Sequence, residues 1–65
     1  MSRIYDRRKR LSLSQEGLSR ITDIPLELIV RWESGEEECP KYVENLLIFY
    51  LDYLILQDRM REEQD

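Results

Sequence analysis

Sixty-five residues hold one domain, and a chain this short buries only about 60% of the surface its unfolded form exposes. A single cysteine, Cys39, and no histidine exclude an internal disulfide and leave a zinc site without ligands, so the marginal core is expected to draw support from self-association. The net charge of −4 divides unevenly: residues 1–35 carry seven Lys/Arg against five Asp/Glu (+2) and residues 36–65 three against nine (−6), which assigns any anion-binding surface to the first half.

With two glycines, two prolines and no sustained alternation of period 2, the chain reads as all-α. The first predicted helix runs from about Arg3 to Arg10, with Ile4 and Leu11 inward. Its cluster of Arg3, Arg7, Arg8, Lys9 and Arg10 is either a solvated face or the electrostatic footprint of nucleic-acid binding. Ser14 is placed to cap a second helix carrying Leu18 and Ile21 and ending near Thr22, with Glu16 at the positive end of its dipole. Asp23 takes the turn, where a left-handed conformation is needed, and Pro25 fixes φ at the start of a third helix. That helix runs to Ser34, with Leu28, Ile29 and Trp32 inward and Leu26, Glu27, Val30 and Arg31 outward; Gly35 stops it.

From Pro40 a last helix can run to about Glu62. Three apolar stripes fall on it: Val43, Leu46, Leu47, Tyr50 and Leu54, expected to close the domain; Ile48, Leu51 and Ile55; and Tyr42, Phe49, Tyr53, Leu56 and Met60. Either a break near Asp52 folds two half-helices over the core, or part of the helix is a homodimer seam. Ile48, Phe49, Leu51, Tyr53, Ile55, Leu56 and Met60, the second and third stripes without Tyr42, are the residues assigned to that seam. The run "LLIFYLDYLIL" is too short to cross a bilayer, and Asp52 interrupts it, so no membrane role is expected. The charged start "MSRIYDRRKR", without an apolar segment behind it, and the lone cysteine point to a reducing, cytoplasmic setting.

The spacing of "LSQEGLSRITDIPLELIVRWESG" is that of a helix-turn-helix. With "LSQ" at Leu13–Gln15, Leu18, Ile24, the pattern Ile29-x-x-Trp32-Glu33-x-Gly35 and a proline five residues on, the sequence resembles the lambda-repressor-like family of Cro and XRE-type regulators over roughly Arg3 to Leu47. The segment "PKYVENLLIFYLDYL" looks like a very short subgroup ending in a Pro-x-Tyr-Val-x-x-Leu-Leu helix. The resemblance implies a bundle of four to five helices with a long apolar C-terminal helix: a helix-turn-helix domain over 1–47 and a dimerising extension over 48–65. It implies that Arg8 and Glu33 pair, that Ser14 and Gln15 meet DNA phosphates, and that Pro25, Leu26, Glu27, Val30 and Arg31 face the bases. Arg31 can donate two bonds to guanine, whereas Glu27 can accept only from cytosine. In the following loop Glu36, Glu37 and Glu38 stand where relatives place cations; Lys41 is the remaining cation there, and the glutamates either oppose DNA or point away from it.

The expectation is therefore a homodimeric regulator of transcription on double-stranded DNA with a palindromic operator. The alternative is the same fold turned to a protein partner. Without histidine, without a glycine-rich phosphate loop and without a base beside Cys39, no enzyme, metal or cofactor is expected.

Overall fold

The computed structural model describes residues 2–63, with the side chains of residues 2–60. Four helices and no strand make up the described residues: α1 (Arg3–Arg10), α2 (Gln15–Thr22), α3 (Leu26–Ser34) and α4 (Lys41–Glu63). No helix among them is long and apolar enough to cross a membrane.

Serine hydroxyls begin the first two helices. Ser2 Oγ accepts from the amides of Ile4 and Tyr5 at 3.1 and 3.2 Å, and Ser14 Oγ accepts from Gly17 N at 2.9 Å, so each covers donors that a first turn leaves unpaired. Between α1 and α2 the chain turns through Ser12, at φ 55°. Asp23 ends α2 at φ 60° and ψ 16°, the left-handed region that a short polar side chain tolerates. Three more bonds fix this turn: Thr22 Oγ1 donates to Leu18 O (2.7 Å) and accepts from Ile24 N (3.3 Å), while Ser19 Oγ donates to Ile24 O (2.6 Å). Gly35 ends α3 at φ 84°, which any side chain would resist.

The core takes one side chain from each short helix, Ile4, Leu18 and Ile29, and three from α4, Leu47, Ile48 and Leu51. Helix α1 lies on α4 and α2 lies on α3. Leu11, Leu13, Ile24, Trp32, Val43 and Leu54 pack round the edge. On α2 Leu18 is fully buried, whereas Ile21 is 45% exposed.

Helix α4 corrects the sequence reading in three ways. It is continuous through Asp52, so no break lets half-helices fold over the core. Its inward face is only partly the expected one: Leu47 is buried and Val43 and Leu54 pack against the core, but Leu46 and Tyr50 are 66% and 40% exposed, and Ile48 and Leu51 are buried instead. Ile48 and Leu51 are thus spent within the chain itself and cannot belong to a seam with a twin, and Ile55 is half-buried beside them. Residues 64 and 65 of the predicted extension lie outside those described. The cause is angular: α1 meets α4 on the side of Leu47, Ile48 and Leu51, rotated from the stripe drawn through Leu46 and Tyr50.

Candidate nucleic-acid interface

The outward face of α3 is exposed along its length. Pro25, Leu26, Glu27, Val30 and Arg31 are all exposed, and Leu26 and Val30 keep 39% and 42% of their surface open. Ile29, one position from Val30, is fully buried and anchors the helix from behind. The helix is thereby held on one side and presented on the other.

What holds it is a buried ion pair. Arg8 Nη2 lies 2.7 Å from Glu33 Oε1 and Arg8 Nε 2.9 Å from Oε2, a two-pronged contact, while Arg8 Nη1 donates to Leu13 O at 2.9 Å. One guanidinium, 7% exposed, therefore joins α1, the α1–α2 turn and the end of α3. Its bonds to Glu33 raise its affinity for its proton, outweighing the burial that opposes them, and the ring of Tyr5 lies 5.2 Å away. Gln15, assigned to phosphate by resemblance, donates its amide to Glu33 Oε1 at 3.1 Å and so completes this bridge. Its carbonyl oxygen cannot donate to phosphate, which leaves one amide hydrogen for that role. The Ser14 oxygen is engaged as the α2 cap, leaving its proton free to donate.

Arg31 is the one cation on α3, and it is surrounded. Carboxylate oxygens of Glu36, Glu37 and Glu27 lie 3.6, 3.8 and 4.0 Å from its guanidinium. The loop after α3 is folded back to achieve this: Glu37 N donates to Arg31 O at 3.2 Å, Ser34 Oγ donates to the same carbonyl at 3.1 Å, and Glu36 N donates to Ser34 Oγ at 3.3 Å. Glu36 and Glu37 thus lie beside Arg31, and Glu38 makes no ion pair among the described residues. Sequence reading missed this clamp; the signal was a serine directly before the helix-ending glycine, followed by acids.

The basic cluster of α1 is similarly engaged. Arg3 pairs with Glu44, Arg7 with Asp6 and Asp52, and Arg10 with Asp6. Lys9, Arg20 and Lys41 make no ion pair among the described residues. Lys41 opens α4 across an open cleft of about 600 Å³ that it shares with Trp32, Gly35, Glu37 and Cys39. The indole N–H of Trp32 is buried there without an acceptor. Among the described residues no group of acids and thiols could hold a metal ion.

Comparison with models of known families, with curated proteins and with solved structures finds no match to this chain.

Proposed function

We propose that this protein is a DNA-binding transcriptional regulator with a lambda-repressor-like helix-turn-helix bundle, working as a homodimer. In this reading α3 enters the major groove, and Ser14, Gln15 and Lys41 steady it on phosphates. One observation carries the proposal: α3 is pinned from behind by Ile29 and the Arg8–Glu33 bridge, while Leu26, Glu27, Val30 and Arg31 stand exposed on its outer face. A rigid, short helix with an open outer face is what groove reading requires. The family resemblance adds the expectation that the face meets bases.

The carboxylates round Arg31 do not remove it from use. Exposed pairs of this kind are worth about 0 to 1 kcal/mol each, and a two-pronged contact to guanine is worth about 1 to 3 kcal/mol of discrimination. They do weaken binding to any duplex, since each stands where a phosphate would be repelled. The same acidic ring favours a second reading, in which the face meets a basic protein surface with Leu26 and Val30 at its centre.

Fluorescence anisotropy with duplexes enriched from a random pool decides between them. Arg31→Ala is expected to lower affinity and blur preference at one base pair. Glu36→Lys, Glu37→Lys and Glu38→Lys together are expected to tighten binding to all duplexes and steepen the salt dependence. If neither variant changes affinity for any duplex at low salt, the DNA reading fails and the face is left to a protein.

A further inference from the structure

We propose that Tyr42, Leu46, Phe49, Tyr53, Leu56 and Met60 form a seam on which a second copy of this chain packs, its α4 running antiparallel. This rests on the dimeric part of the function proposed above and not on DNA. These six side chains are 71, 66, 73, 54, 56 and 52% exposed, although each is large and apolar or aromatic. They follow one another at intervals of 4, 3, 4, 3 and 4 residues, the a and d spacing of a coiled coil. Leu46, placed in the core by sequence alone, fills the gap between Tyr42 and Phe49 that otherwise interrupts the series.

The occupant is argued from size, symmetry and charge. Eighteen residue steps of helix make a strip about 27 Å long, and covering it on two copies removes roughly 1,200 Å² from water, the lower edge of a stable specific interface. The strip is also a palindrome about Leu51: Leu46 is matched by Leu56 and Phe49 by Tyr53, with Tyr42 and Met60 at the ends. An antiparallel partner thus sets leucine against leucine and aromatic against aromatic, with four rings at the centre. Antiparallel helices also oppose their dipoles, which a parallel pair would align.

Asp52 is the acid beside the centre of the strip, where two copies bring two carboxylates near each other. Its Oδ1 accepts from Arg7 Nε at 3.2 Å, so α1 of each copy already supplies the opposite charge. Arg59, seven residues on at the same flanking position, is the other charge along the strip's edge.

The test uses the full chain without DNA, so that it can fail or succeed independently of the DNA reading. Light scattering at micromolar concentration is expected to give a dimer mass. Phe49→Lys, a change at an exposed position, is expected to keep the helical circular dichroism and weaken association by roughly a hundredfold or more. Orientation is read in a Cys39→Ser background, with Phe49→Cys and Tyr53→Cys prepared separately and oxidised. A disulfide-linked heterodimer in the mixture, with little crosslinking of either variant alone, supports the antiparallel seam. Rapid crosslinking of Phe49→Cys to itself, a monomeric parent chain, or a dimer indifferent to Phe49→Lys would each overturn it.

Discussion

Two side chains show how much one position can carry in so small a chain. Arg8 and Glu33 lie 25 residues apart, and both are nearly closed to solvent. Removing one partner strands the other, at a cost of about 3 to 5 kcal/mol, whereas an exposed glutamate such as Glu37 contributes less than about 1. Glu33→Ala is therefore expected to lower the urea midpoint far more than Glu37→Ala; equal midpoints would contradict the clasp. Cys39 offers a second reading at this scale. Burial, and then the nearby Glu44 carboxylate, push its thiol pKa upward. An acid whose folded pKa is raised loses stability as pH climbs past its unfolded value, because the unfolded chain gives up the proton first. It also holds less thiolate at a given pH. Alkylation by iodoacetamide is expected to be slower in the folded chain than in urea throughout pH 7 to 9, roughly the range where an ordinary thiol ionises. Equal rates would show that Cys39 is not protected.

At the scale of elements, capping chemistry made the helices legible. Ser14, Asp23 and Gly35 each act through their own backbone neighbourhood, and a sequence displays that neighbourhood directly. The faces of α4 were not legible in the same way. Three apolar stripes satisfy helical periodicity equally, and only the position of α1 decides that Leu47, Ile48 and Leu51 turn inward and Leu46 outward. The pairing of Arg8 with Glu33 is likewise invisible to periodicity, and only the resemblance pointed to it. Of the interface, the exposed outer face of α3 could be read from spacing. Its carboxylate clamp could not, because that depends on a loop whose direction is set by two bonds to the Arg31 carbonyl.

For the molecule as a whole, the order of the helices along the chain differs from their order in space. α2 and α3 are neighbours in both, but the first helix meets the last, with Arg3 bound to Glu44 and Arg7 to Asp52 across 41 and 45 residues. Loop-closure entropy makes the near pairing form before the distant one. The Arg8 clasp, which needs α1 in place, then belongs to the late side of the folding barrier. Its loss should accordingly leave the folding limb of a chevron almost unmoved and raise the unfolding rate by about two orders of magnitude for each ~3 kcal/mol removed. A folding limb that slows by the same factor would place the clasp in the nucleus instead. What Arg8 governs on this account is time: how long a folded copy lasts before it opens.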